Sequence, residues 1–343
     1  ARELSALFKD HEEFYTSSVS FIINETEDFY INSEGSEAYY NNRKITFSCN
    51  GSTILKDGNP YSNSAEITFL NNEKIDEQKI RKLILKFIKD FKNYYHEAKD
   101  LKSAYVGPAI YKGAEAGYYF KKYFLGLING NRRSFDKNTL VLFDSLNKKI
   151  LPRGTTIIDD PTLKKFKGRE VAEFKIDKEG VRPEKVIVVK DGFFRNFLMS
   201  KVPIENFPES NGHCKYIAEE SYPGSTNIIV TSNRKKTYQQ LLTELKRMCR
   251  EEGLDNGIIF DKDDAYLYNI KTGSLTRLKN VRLVSKSSLP ALKKIKMFGN
   301  DPELVSFGTT FGTVISPSIL VSEVELKKAR KENILRPILP APK

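Results

Sequence analysis

The chain has 343 residues, 39% hydrophobic and 11% aromatic, with Tyr and Phe plentiful and Trp absent. That is enough for two domains or one large one and is a globular composition, not a disordered one. The net charge of +12 is spread along the chain, in short runs such as Asn131-Arg-Arg and Asn233-Arg-Lys-Lys, so it reads as a Lys-rich surface and nucleic acid is not the expected partner.

Residues 5–70 read mainly as β. Val19-Ser-Phe-Ile-Ile and Asp28-Phe-Tyr-Ile are strand-like, and Lys44-Ile-Thr-Phe-Ser-Cys alternates as a half-buried strand does. Asn32-Ser-Glu-Gly-Ser and Lys56-Asp-Gly-Asn-Pro are turns between them. Residues 76–101 read as one long amphipathic helix: Ile80, Leu83, Ile84, Phe87, Phe91, Tyr94, Tyr95, Ala98 and Leu101 keep i, i+3, i+4 spacing, with lysines on the other face.

Val106-Gly-Pro-Ala-Ile then enters a second domain as a strand, and Ala114 to Leu127 is an aromatic-rich helix ended by Asn129-Gly-Asn. Leu140-Val-Leu-Phe and Thr155-Thr-Ile-Ile read as short strands. From Phe174 the pattern is β again. Val186-Ile-Val-Val and Phe193-Phe-Arg-Asn-Phe-Leu form a hairpin around Lys190-Asp-Gly, and Thr226-Asn-Ile-Ile-Val is a strand. Thr237 caps a helix carrying Leu241, Leu242, Leu245, Met248 and Cys249, stopped by Gly253. Gly257-Ile-Ile-Phe, Ala265-Tyr-Leu-Tyr-Asn-Ile and Val281-Arg-Leu-Val make a meander. Leu289 to Met297 is a short helix, Val314 to Val321 and Glu323-Val-Glu-Leu close the domain, and Arg336-Pro-Ile-Leu-Pro-Ala-Pro is an extended tail. Strands come in runs with few helices between them. The fold class is α+β, with large antiparallel or mixed sheets and a long connecting helix. Residues 1–102 form the end of an N-terminal domain, and residues 103–343 a β-rich domain.

The three cysteines, Cys49, Cys214 and Cys249, are far apart and odd in number, which argues against a disulfide framework. No apolar run is long enough to span a membrane. The three histidines, His11, His96 and His213, offer no metal spacing. His96-Glu97 has Asp100 and Leu101 where a second His would be needed. Ser210-Asn-Gly-His213-Cys214 carries two readings. In one, Asn211-Gly212 is a bend with His213 bonded locally. In the other, His213 is an acid, a base or a substrate contact, with Asn211 beside it; Cys214 next to it is a weak thiol candidate, because vicinal side chains point apart on a strand. Asp159-Asp160-Pro161 and Asp177-Lys-Glu179-Gly180 read either as turn chemistry or as paired carboxylates.

Five segments, Tyr105-Val-Gly-Pro-Ala-Ile, Asp159-Asp-Pro-Thr-Leu, Asp177-Lys-Glu-Gly-Val, Phe197-Leu-Met-Ser-Lys-Val-Pro and Ser210-Asn-Gly-His, resemble in this order the C-terminal region of the TldD/PmbA family. Its members have been described as zinc peptidases and as modulators of DNA gyrase. The resemblance implies a missing N-terminal portion and an exported or periplasmic protein, with a cytoplasmic one as the alternative. The active type carries His-Glu-x-x-x-His on a helix and a Cys in a late Gly-rich loop. Gly113-Ala-Glu-Ala-Gly-Tyr118 resembles that motif with Gly113 and Tyr118 in place of the two His and Ala114 in place of the Glu. Phe307-Gly-Thr-Thr-Phe-Gly-Thr resembles the loop without its Cys. The resemblance therefore implies a metallopeptidase-related protein with no metal ligands and no cofactor of its own. It would be a homo- or hetero-oligomeric partner of a TldD-like chain, able to hold a peptide substrate. A hydrolase using His213 and Asn211, and a DNA- or gyrase-associated factor, remain the alternatives.

Overall fold

The computed structural model describes residues 2–70, 73–130, 142–171, 175–217, 220–284, 288–307 and 312–329. The chain opens with α1 (Arg2–Ser5), then β1 (Thr16–Ile31), β2 (Glu37–Ile54), β3 (Pro60–Leu70) and α2 (Glu77–Glu97). Next come β4 (Lys99–Asp100), β5 (Tyr105–Tyr111), α3 (Gly113–Tyr123), β6 (Thr155–Asp159), β7 (Lys165–Phe166), β8 (Arg169–Glu170), β9 (Val186–Lys190) and β10 (Phe193–Phe194). They are followed by β11 (Cys214–Ile217), β12 (Glu220–Pro223), β13 (Asn227–Ser232), α4 (Tyr238–Glu251), β14 (Asn256–Asp261), β15 (Asp264–Asn269), β16 (Leu275–Lys279) and β17 (Val281–Leu283). The last elements are α5 (Ser288–Lys293), β18 (Ile295–Phe298), β19 (Glu303–Ser306), β20 (Thr313–Ser316) and β21 (Ile319–Lys328).

The first three strands form an antiparallel meander. Period-2 alternation turns Ile45, Phe47, Cys49 and Phe69 to one face, where α2 lays down Ile80, Ile84, Phe87, Ile88 and Phe91. Asp76 caps α2, accepting the Lys79 N–H at 3.0 Å. The helix stops at Glu97, short of the expected Leu101, because Lys99-Asp100 leaves to pair in parallel with β16.

Two mixed sheets follow. One has the order β10-β9-β6-β13-β20-β19, and the other β17-β21-β5-β14-β15-β16-β4, with β18 also on β21. Each contains a parallel pairing, β13 with β20 and β5 with β14. α3 lies between the sheets. Its Ala116, Tyr119, Phe120 and Tyr123 share one core with Ile157, Val188, Ile228 and Val314 of the first sheet and Ala109, Tyr111, Ile258 and Ile319 of the second. The alternate residues Ile110, Ile259 and Leu320 face the other way, onto Leu241, Leu245, Met248 and Cys249 of α4. Both faces of these strands are buried, so their sequences run nearly continuously apolar. The α+β class with mixed sheets stands.

Several local expectations hold and a few do not. Thr237 and Gln240 form a reciprocal capping box at the start of α4. Leu289 to Met297 is not one helix: α5 ends at Lys293 and Ile295–Phe298 joins β21 as β18. Leu142 and Phe143 are helical rather than extended, and Leu140-Val141, Asn131-Arg-Arg, Phe174 and the Arg336 tail lie outside the described residues. Val314 to Val321 is not continuous either. Pro317 lacks an N–H, and Ser318 gives its own to Asp301 Oδ1 at 3.0 Å, so the chain leaves the first sheet and enters the second there.

Candidate functional site

The switch at Ser318 bears directly on the N-terminus of α3. Lys112 provides no side-chain cap. Instead the Gly113 N–H is donated to Ser318 Oγ at 3.0 Å and the Ala114 N–H to Glu303 Oε2 at 3.3 Å. A carboxylate at a helix N-terminus answers both the open N–H groups and the dipole. Gly113 sits at φ +23°, and a Cβ there would lie 2.4 Å from Glu303 Cδ. One turn on, a Cβ at Gly117 would lie 2.2 Å from Val305 Cγ1. Tyr118 is 43% exposed and meets Phe307 edge-to-face at 5.2 Å, while Lys121 Nζ stands 4.7 Å over the same ring. The motif-like helix and the start of the late Gly-rich loop are therefore neighbours; residues 308–311 of that loop lie outside the described residues. Glu115, also on α3, accepts the Asp263 N–H at 2.7 Å, and burial pushes its carboxyl up to about 7, helped by Asp263, Asp261 and Asp264.

The second cluster lies at the end of the first mixed sheet where β6 stops and β13 begins. Asp159, at the end of β6, takes the N–H groups of Asn227 and Thr226 at 2.8 Å each, and Asn227 Nδ2 returns to the Asp160 carbonyl at 3.0 Å. Asp160 Oδ1 takes the Thr162 N–H and hydroxyl, a closed Asx turn. Asp177 gathers three backbone N–H groups, from Glu179, Val181 and Cys214, at 2.9 to 3.0 Å. These carboxylates tie turns to strands and do not form a pair. His213 is fully buried. Its Nδ1 lies 2.9 Å from the Asn211 carbonyl and 3.0 Å from Asn211 Oδ1, and its Nε2 lies 3.8 Å from Asp159 Oδ2 with no hydrogen-bond partner. Burial lowers its pKa below the usual value, against the pull of Asp159. Asn211 braces the neighbouring segment, accepting the Met199 N–H and donating to the Phe197 carbonyl. Cys214 is buried and its thiol is pushed well above the ordinary range, opposite to what a nucleophile needs. Lys215 donates to the Ser225 carbonyl and is brought down to about 8 by burial. His96, on α2, is exposed and paired with Glu13 at 3.0 Å.

Residues 106–328 match the family model of the PmbA/TldA metallopeptidase C-terminal domain. The chain belongs to the PmbA/TldD family. A metalloprotease of Archaeoglobus fulgidus is 30% identical over 168 residues, and a metalloprotease TldD homologue of Buchnera aphidicola 27% over 180. These matches span 46% and 48% of this chain but only 37% and 35% of the relatives. Among solved structures, a candidate modulator of DNA gyrase from Thermotoga maritima superposes with a TM-score of 0.66 at 16% identity, covering 95% of this chain and 73% of that one. TldE of Thermococcus kodakarensis does so with 0.63 at 14%, covering 95% and 72%. At such identity they share the fold.

The zinc site of the active PmbA/TldD type does not fit the residues here. Gly113 and Ala114 have no donor atom, the Cβ space of Gly113 is filled by a carboxylate already hydrogen-bonded to the helix, and Tyr118 packs on Phe307. Among the described residues, no three His, Cys, Asp or Glu side chains group to hold a metal. Nor is any helix among them long and apolar enough to cross a membrane. Glu303 and Ser318 escaped the sequence reading. They lie far along the chain from Gly113, and the one signal is Gly113 itself, whose missing side chain leaves room for Glu303.

Proposed function

We propose that this chain is a PmbA/TldD-family subunit without zinc-dependent hydrolysis of its own, acting as a partner or peptide-holding component beside a relative that carries His-Glu-x-x-x-His. One observation carries the reading: Glu303 occupies the helix N-terminus where the active type places its first ligand, and it is held there by hydrogen bonding. Four chemical groups would have to be regained for the zinc mechanism, and a catalytic zinc needs three ligands plus a general base. The exposed Tyr118 beside Phe307 keeps an aromatic surface at the same place, of the kind that receives extended peptide side chains. The core built from Leu4 to Phe91 is distinct from the one that includes Leu101 and the residues after Tyr105, which supports two domains dividing near residue 102, the second carrying the family fold.

A hydrolase centred on His213 and Asn211 has less support, since the imidazole is sealed from solvent and its Nδ1 is engaged. The test is co-purification of the full-length protein with a His-Glu-x-x-x-His relative from the same cells, followed by a peptidase assay on unfolded protein with each chain alone and both together. Activity that needs both, and survives His213→Ala, is expected. Activity of this chain alone with stoichiometric zinc would overturn the proposal.

A further inference from the structure

A basic hairpin stands beside the start of α3. β7 and β8 pair Lys165 with Glu170 and Phe166 with Arg169, and the turn between them, Lys167-Gly168, has φ of +47° and +79°. Two residues at positive φ make the tight turn whose twist matches its strands. From Lys164 to Glu170 the hairpin carries Lys164, Lys165, Lys167 and Arg169 against the single carboxylate of Glu170. Lys164 and Glu170 each have a partner already. Lys165, Lys167 and Arg169 are exposed, and no carboxylate among the described residues forms an ion pair with them.

The turn ties the hairpin to the site. Lys167 Nζ donates to the Pro302 carbonyl at 2.7 Å and stands 5.4 Å over the Phe166 ring. An ammonium has three donors, so two remain for a ligand. Arg169, directly across from Phe166, shares the face on which that ring lies. Pro302 leads into Glu303, which holds the N-terminus of α3, and the chain runs on past Val305 at Gly117 to Phe307 at Tyr118. Extended chain from Pro302 to Phe307 covers about 17 Å. The hairpin therefore marks one end of a strip and the aromatic pair the other. Between them the strip is acidic. Glu303 is bonded to the Ala114 N–H, Asp301 to Ser318, Asp261 to Lys112, and Glu115 to the Asp263 N–H. A polyphosphate laid along the strip would meet these carboxylates, so a nucleic acid fits it poorly. A peptide with its negative charge confined to one stretch fits.

We infer that the Lys167–Arg169 side of the hairpin selects peptides by their acidic side chains, holding Glu or Asp while the adjoining stretch of peptide lies toward Tyr118 and Phe307. The inference rests on the peptide-holding reading above and adds which peptides are held. Arg169 grips a carboxylate with parallel N–H groups, and Lys167 adds a point charge. Two cations on one face match two carboxylates, which alternate positions of an extended peptide place on one side.

The test is fluorescence anisotropy on the purified full-length protein with labelled short peptides, acetylated and amidated so that their ends carry no charge. One has Glu at alternate positions, the second has Gln there and the third Lys. The Glu peptide is expected to bind about 3–10-fold tighter than the Gln peptide at low salt, as two exposed ion pairs give, and the margin to close at high salt. The variant K167Q/R169Q is expected to remove the margin and to leave Gln-peptide binding and thermal unfolding nearly unchanged, both side chains being exposed. K167E/R169E is expected to turn the preference to the Lys peptide. Equal binding of the Glu and Gln peptides overturns the inference and leaves the peptide-holding reading standing. A margin that survives K167Q/R169Q overturns it as well. A single-stranded oligonucleotide that displaces the Glu peptide would give the hairpin to nucleic acid and overturn it too. Failure to bind any of the peptides overturns it together with the peptide-holding reading, and the two-chain peptidase assay then decides the partner reading by itself.

Discussion

Replacing Asp159 by alanine is expected to remove a large part of the stability of the β-rich region. The carboxylate accepts the N–H groups of Thr226 and Asn227 at 2.8 Å each, all three residues being buried. A buried donor left without a partner costs about 1–3 kcal/mol. Two of them, plus the void left by the carboxylate, amount to about 3–5 kcal/mol. Whole-domain stability is about 5–15 kcal/mol, so the variant should still fold but unfold at much lower urea. Asp159→Asn keeps one acceptor oxygen and sets its NH2 against the other N–H, so its loss should fall to about half of the alanine value. The measurement is urea unfolding followed by tyrosine fluorescence and far-UV circular dichroism, with an unchanged slope showing that the unfolded state is the same. A loss below about 1 kcal/mol for Asp159→Ala would show that this carboxylate does not pin the Thr226–Asn227 backbone.

Other outcomes follow from the same geometry. Glu115 keeps its proton up to about 7 in the folded state, against 4.5 for the ordinary group, so its ionisation opposes folding increasingly as pH rises through that window. Glu115→Gln should therefore match the wild type near pH 4 and exceed it by about 2–3 kcal/mol at pH 8, read by paired urea curves; a constant difference across pH would refute the assignment. His213 has a lowered folded pKa, so the unfolded chain takes the proton first and stability drops as pH falls below about 6.5, by at most about 1.4 kcal/mol per unit, a slope that His213→Gln should reduce. Gly117→Ala drives a methyl into Val305 and should cost about 1–3 kcal/mol, recovered in part by Val305→Ala in a double-mutant cycle. The variant G113H/A114E/Y118H should take up no zinc by elemental mass spectrometry while Glu303 holds the helix N-terminus; stoichiometric uptake in that background would show the carboxylate to be easily displaced.

The parts of the fold legible in sequence are those with a local cause. α2 shows its 3.6-residue stripe, α4 its capping box, and the Asn32–Ser36 turn its glycine at φ +83°. What the sequence hides is set by distant neighbours. Leu289 to Met297 has a helical look, yet Ile295–Phe298 is taken up by β21. Pro317 marks a break but not the change of sheet it brings about. The site divides the same way. The replacement of His, Glu and His by Gly113, Ala114 and Tyr118 is visible as letters, whereas the carboxylate that fills the space beside Gly113 comes from Glu303 and depends on β19 lying against α3. The turn reading of Asp160 and Asp177 was available from spacing, but the cross-chain role of Asp159 required knowing that β6 and β13 are partners.

The position of β5 has a consequence for synthesis. It sits between β21 and β14, so a strand made early waits for partners made late. At about 5–20 residues per second, the interval between the emergence of Tyr111 and that of Ile319 is about 10–40 s. Throughout it the apolar edge of Ala109 and Ile110 has no ladder on its β21 side. This segment, and not the finished surface, is where a nascent chain most needs a chaperone. Truncations ending before Ile319 are the forms expected to aggregate on the ribosome.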